Sequence, residues 1–166
     1  MTSWAKPVAT VGYVGLMRPA PGTWGSLAAL PLAWVIFQIG GIYLLGAAII
    51  ATYFIGIKAT QAYTAGSDDH DPSEVVIDEV VGQWIALLPV MFGATMMGAD
   101  VTRLWPGWVA AFVLFRLFDI WKPSLVGRAD ARGDATGVML DDVWAGLFAA
   151  VVSSLLAALS HLVIMA

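Results

Sequence analysis

Two pairs of adjacent acids stand directly before long apolar stretches. Asp78-Glu79 runs into Val80-Val81-Gly82, and Asp141-Asp142 runs into Val143-Trp144-Ala145-Gly146. Carboxylates supply oxygen ligands only, which suits a hard divalent cation such as Mg2+. Crowded together without a cation, they would repel one another and hold their protons more tightly. A third stretch mixes signs: Arg116 and Asp119, three residues apart, share a face if the segment is helical, and Lys122 follows. Carboxylate-held Mg2+ with Arg and Lys alongside suits phosphate chemistry, in which the metal polarises a phosphoryl oxygen and activates water while cations hold the other oxygens. Alternative routes lack their parts. There is no cysteine for a thiolate nucleophile, only His70 and His161 for a histidine-based one, no Walker-type phosphate loop, and no Asp-Gly-x2-Ala-Arg run of the CDP-alcohol phosphotransferases.

The elements that must carry these residues are apolar. Of 166 residues, 60% are hydrophobic and 12% charged, against about 25% charged in an ordinary soluble domain. That balance predicts a membrane protein, and the absence of a basic stripe argues against nucleic acid as a partner. Residues 1–25 lack an apolar core and are broken by Pro7, Pro19 and Pro21, so they do not read as a signal peptide. Charge-free stretches cover 27–57, 80–99, 104–115 and 143–166. A span needs about 20 residues, so 104–115 must extend through Arg116 and Asp119 to about Trp121. Within 27–57, Gly40-Gly41 predicts a turn between a short helix over 26–38 and a full one over 42–58, the first either tilted or re-entrant. The expected fold is an all-α, polytopic transmembrane helical bundle with about four to five membrane-embedded segments, forming one domain.

Alternating crossings gather the polar residues. The N-terminal segment, the loop from Lys58 to Glu79 and the segment from Arg116 to Asp142 fall on one side, with only Asp100 and Arg103 on the other. Seven of the eight Lys and Arg residues lie on that shared side, which the positive-inside rule makes cytoplasmic. Two simpler readings stand beside the functional one. Acids at helix N-termini gain modestly from the helix dipole, and Thr23 or Ser26 in the tract Arg18–Ser26 could be a helix N-cap. The alternative for that tract is a loop whose backbone N–H groups bind phosphate. The glycine four residues after Asp78 (Gly82) and after Asp142 (Gly146) shares a helix face with its acid and permits close approach of a neighbour.

Four ordered motifs carry a resemblance to a known family: Ala20-Pro21-Gly22-Thr23-Trp24-Gly25-Ser26; residues 71–84 around Asp78-Glu79-Val80-Val81-Gly82-Gln83-Trp84; residues 115–123 with Arg116, Asp119, Lys122 and Pro123; and residues 137–146 around Asp141-Asp142. Together they resemble phosphatidylglycerophosphatase A, a Mg2+-dependent enzyme of bacterial membranes. The resemblance implies hydrolysis of phosphatidylglycerophosphate to phosphatidylglycerol and phosphate, a membrane phospholipid substrate, and a multi-pass chain in the bacterial cytoplasmic membrane with its active site facing the cytoplasm.

Under that resemblance Asp78, Glu79, Asp119, Asp141 and Asp142 are the expected metal ligands. Asp78, Glu79, Asp142 and Arg116 are the expected catalytic set. Lys122, Thr23, Ser26 and Lys58 are the expected substrate-binding residues. Asp71, His70, Arg128, Asp130, Arg132 and Asp134 read as solvated loop residues, and Asp141 as a possible helix cap. Either a water or a carboxylate could attack phosphorus. The competing class is a transporter or cation-binding membrane protein using the same acids, which predicts charges near mid-membrane.

Overall fold

The computed structural model describes residues 4–165, with side chains to Leu162. It is built of helices, with no strand among the described residues: α1 (Ala5–Ala9), α2 (Pro21–Thr64), α3 (Ile77–Met97), α4 (Trp105–Trp121), α5 (Leu125–Asp130) and α6 (Ala135–Met165), with single 3-10 turns at Val14–Leu16 and Val101–Leu104. Four of these helices are long and apolar enough to cross a membrane.

The 44 residues of α2 would extend about 66 Å if straight, more than twice the ~30 Å hydrocarbon core. The helix folds back instead at Gly40-Gly41, where Gly41 adopts φ 63°, ψ −159°. Only glycine takes up that conformation without a steric penalty. The reversal is visible in the contacts. Gly25 packs on Val76 and Gly56 on Ile77, so two residues that a straight helix would hold ~46 Å apart meet the same end of α3. Two antiparallel arms result, 21–39 and 42–64. The first arm is longer than the sequence implied. It starts at Pro21, whose fixed φ and missing N–H suit the first helical position, and its ~28 Å length matches the hydrocarbon core.

α3 is the hub. It packs against α2, α4 and α6, and its core-facing residues Val80, Trp84, Leu87 and Met91 are buried. The Trp84 indole N–H donates to the Ala29 carbonyl at 2.9 Å, tying α3 to the first arm of α2. The outer faces expose Tyr43, Ile50, Phe54, Phe92, Ile120 and Leu155, as expected of surfaces that meet lipid. Pro31 lies inside α2 and Pro89 inside α3, interruptions of the kind that membrane-spanning helices tolerate.

Two helix boundaries shift the meaning of the acids. α4 runs through Arg116 and Asp119 to Trp121, as the span length required, and ends with Lys122 in the left-handed region at φ 49°. α6 begins at Ala135, so Asp141 and Asp142 lie nearly two turns inside it rather than at its start. The cap is Asp134, whose Oδ1 accepts from the Gly137 N–H at 2.6 Å. The capping alternative for Asp141 is therefore excluded by the position of the helix start. Asp134, expected to be a plain loop charge, caps the helix and pairs with Arg132 at 3.1 Å.

Candidate active site

One end of the bundle collects the start of α2, the loop before α3, the first turn of α3, the last turns of α4 and the second turn of α6. They enclose a cleft of about 290 Å³ lined by Ala20, Pro21, Gly22, Asp71, Ser73, Val75, Asp78, Glu79, Arg116, Asp119, Lys122, Asp141 and Asp142. The loop before α3 is held by contacts between residues far apart in sequence. Residues 9–18 cross over the loop before α3: the Val76 N–H donates to the Ala9 carbonyl at 2.9 Å, Gly15 lies on the Glu74 carbonyl, and Arg18 donates to Ser73 Oγ at 3.1 Å. These contacts fix where α3 begins, and so where Asp78 and Glu79 point.

Asp78, Glu79 and Asp142 each place a carboxylate oxygen within 4.8 Å of the others. Asp78 and Asp142 are buried, at 7% and 2% exposure. Three charges at that spacing repel by roughly 3 kcal/mol per pair at an effective dielectric of 20. Arg116 does not offset this by itself. Its Nη1 is paired closely with Asp119 and stands 3.8 Å from Glu79 Oε1. Glu79 Oε2 and Asp142 Oδ1 are buried with no hydrogen-bond partner among the described residues. Buried polar atoms are seldom left without one. An all-oxygen donor set with orphaned, inward-facing atoms fits a hard divalent cation such as Mg2+.

The other two predicted ligands line the same cleft but are held by cations. Asp119 pairs with Arg116, and Asp141 Oδ2 lies 3.1 Å from Lys122 Nζ. Lys122 also pairs with Asp130, so Asp130 is an ion-pair partner rather than the plain solvated charge expected. Partial burial by itself would lower the Lys122 pKa, but hydrogen bonds and Coulomb attraction from Asp130 and Asp141 outweigh it and raise the pKa above its ordinary value.

Three predicted substrate-binding residues are not brought into the cleft lining. Thr23 and Ser26 lie inside α2, because the helix starts at Pro21, with Ala20 in the N-cap position and no side-chain cap. Ser26 is fully buried and its hydroxyl donates to the Gly22 carbonyl at 2.8 Å. Lys58 is exposed in the second arm of α2. In their place the cleft is lined by Gly22, Ser73 and Val75, which the motifs include without an assigned role, and by Asp71, expected to be solvated. Gly22 is the most constrained of these. A Cβ there would fall on Glu79 Oε1 and lie 3.1 and 3.2 Å from the two terminal nitrogens of Arg116. The available signal was a Pro-Gly pair at a helix start, where a side chain is otherwise free to point outward.

Residues 7–157 match the family model described as Phosphatidylglycerophosphatase A. The chain belongs to the phosphatidylglycerophosphatase A family. A Haemophilus influenzae relative named phosphatidylglycerophosphatase A is 35% identical over 83% of this chain and 79% of its own length. A relative of the same name from Escherichia coli is 34% identical over 82% of this chain and 73% of its own. A protein from Bacteroides thetaiotaomicron, provisionally named a phosphatidylinositol-3-phosphatase, is 37% identical over 78% of each chain. No solved structure matches the chain. Membership of the phosphatidylglycerophosphatase A family makes the chain a lipid phosphatase, which accounts for an acidic cleft at the end of an apolar bundle.

Gly22→Ala is expected to lower the rate of phosphate release at least tenfold, because a displacement of about 1 Å at reacting groups costs up to 10²-fold. Melting temperature, read in parallel, should fall by only a few degrees. Unchanged turnover would mean that the Gly22–Glu79 approach does not matter to the site.

Proposed function

We propose that this chain hydrolyses the terminal phosphate monoester of phosphatidylglycerophosphate, giving phosphatidylglycerol and inorganic phosphate, with Mg2+ held by Asp78, Glu79 and Asp142. The observation that carries this reading is the buried carboxylate triad, with two orphaned oxygens, beside Arg116 and Lys122 in one cleft. Bound Mg2+ would supply Lewis acidity toward a phosphoryl oxygen and a more acidic water.

The chain's own residues account for the rest. Arg116 is oriented by Asp119 and keeps a buried, unpartnered Nε, so part of its donor fork is free for phosphate oxygens. Lys122, with a raised pKa, stays charged and acts as an electrostatic clamp rather than a proton donor. A triad carboxylate takes the proton of the attacking water as the new P–O bond forms. The ester P–O bond breaks, and the proton taken up by that carboxylate passes to the departing alkoxide oxygen, so the lipid leaves as a neutral hydroxyl. The acyl chains remain in lipid against the apolar outer faces. By the excess of Lys and Arg at this end, the cleft opens to the cytoplasm in the bacterial inner membrane. The acids cluster at one end of the bundle, which disfavours the transporter alternative, since that requires charges near mid-depth.

The test is phosphate release by the full chain in detergent, from phosphatidylglycerophosphate and from phosphatidylinositol 3-phosphate, with EDTA and after Mg2+ is restored. We expect release from the first lipid to vanish in EDTA and to return with Mg2+. Undiminished release in EDTA would remove the metal from the proposal, and a preference for the inositol lipid would overturn the substrate.

A further inference from the structure

Gln83 sits in α3 one turn beyond Glu79, at the i, i+4 spacing that puts two side chains on one helix face. It is fully buried, and neither its Oε1 nor its Nε2 has a hydrogen-bond partner among the described residues. An amide in that position loses its hydration at both donor and acceptor and gains nothing in return. The residues around it on α3 are Val80, Ala86 and Leu87, all buried and apolar, so packing by itself would be served by Leu or Met.

The surroundings of this amide follow from the register of two helices. The first arm of α2 runs alongside α3 in the same direction, with Gly22 against Glu79 and the Ala29 carbonyl accepting from Trp84. Ser26 lies one turn after Gly22 on the first arm, and Gln83 one turn after Glu79 on α3. Ser26 is fully buried as well. Its hydroxyl proton is committed to the Gly22 carbonyl, so its oxygen retains acceptor capacity. Above lies Glu79, with Oε1 against Gly22 and Oε2 buried and unpartnered. Two adjacent turns thus hold a carboxylate that needs a donor and an amide that has two.

We propose that Gln83 is a positioning residue for Glu79. Because neither Gln83 Nε2 nor Glu79 Oε2 has a direct partner among the described residues, Nε2 donates to one bound water, which in turn donates to the Glu79 carboxylate, with the buried Ser26 Oγ as a further acceptor for that water. The effect is to hold the Glu79 carboxylate in the orientation that faces Asp78 and Asp142. Gln83 does not touch substrate. This inference rests on the reading of Glu79 as a cation ligand. Donors that orient a ligand from behind typically change metal affinity by about 10–100-fold when removed.

The experiment uses the full chain in detergent and records melting temperature against Mg2+ concentration, together with phosphate release. Gln83→Met, close in shape but apolar, is expected to melt in EDTA no lower than the unaltered protein. It should need about 10–100-fold more Mg2+ for half of the cation-induced shift and for half-maximal activity, with an unchanged KM for lipid at saturating Mg2+. Gln83→Asn, whose amide is a methylene short of Glu79, is the second variant and should move in the same direction. Unaltered Mg2+ dependence in both, or a loss of melting temperature with the Mg2+ midpoint unmoved, would overturn the proposal and leave Gln83 a packing residue. Glu79→Gln separates the two levels. If that variant keeps the Mg2+-induced shift, the cation-site reading itself fails. If it loses the shift while both Gln83 variants keep it, only the role of Gln83 fails.

Discussion

Asp142→Asn should leave the protein folded and reduce phosphate release by at least about 10²-fold, equivalent to roughly 3 kcal/mol of transition-state stabilisation. The substitution keeps the side-chain shape but removes one of three converging carboxylates and replaces an oxygen ligand with an N–H₂ group at a site 2% exposed. A second readout separates this from unfolding. Without a cation the three acids must either repel or hold protons at a cost to stability, so replacing one of them with a neutral amide should raise the melting temperature in EDTA. With Mg2+ present the order should reverse, because the unaltered protein gains cation binding that the variant lacks. Glu79→Gln should behave in the same way. A variant at either position that retained activity, or that melted early in EDTA, would show that the triad is not the centre of the chemistry.

Gly146→Val is expected to be as damaging to activity by a different route. A Cβ at Gly146 would strike the Gly82 backbone, with the carbonyl carbon and Cα each 3.1 Å away, and a Cβ at Gly82 would meet the Phe115 ring and come within 2.6 Å of the Asp142 carbonyl oxygen. These are backbone atoms, so no side-chain rotation relieves the clash, and α3 and α6 must move apart. Within a bilayer, helix association depends on close packing of small residues rather than on hydrophobic burial. Overpacking of this kind costs about 1–3 kcal/mol, which for a chain of this size corresponds to a fall of roughly 5 °C in melting temperature. The loss of activity should be larger than stability predicts. Separating these helices carries Asp142 away from Asp78 and Glu79, and reacting groups tolerate little displacement. We expect phosphate release to drop by about 10²-fold at temperatures where the variant is still folded. Activity retained under those conditions would mean that the Gly82–Gly146 crossing does not set the triad geometry.

Much of this arrangement was legible in one dimension because it depends on local properties. Charge-free length and overall apolarity indicate membrane helices, the need to span a fixed thickness extended α4 through Arg116 and Asp119, and Gly40-Gly41 marked the reversal inside α2. Placement of charges by crossing parity brought Asp78, Glu79, Arg116, Asp119, Lys122, Asp141 and Asp142 to one end, and all of them line one cleft. The spacing of Gly82 and Gly146 from the acids also anticipated where two backbones touch.

What remained for the tertiary structure was the rotation of each helix about its own axis and the pairing of charges across the cleft. Successive helical residues point about 100° apart, so Asp142 joins the triad while its neighbour Asp141 turns to Lys122. Nothing in the order of residues says which of the two does so. The same rotation buries Ser26 against Gly22, leaves Lys58 exposed, and sets Gly22 against Glu79. Composition and spacing determine that this chain gathers acids and bases at one face of a membrane. Side-chain direction, decided by packing between distant helices, determines which acids can share a cation and which are already neutralised by Arg116 and Lys122.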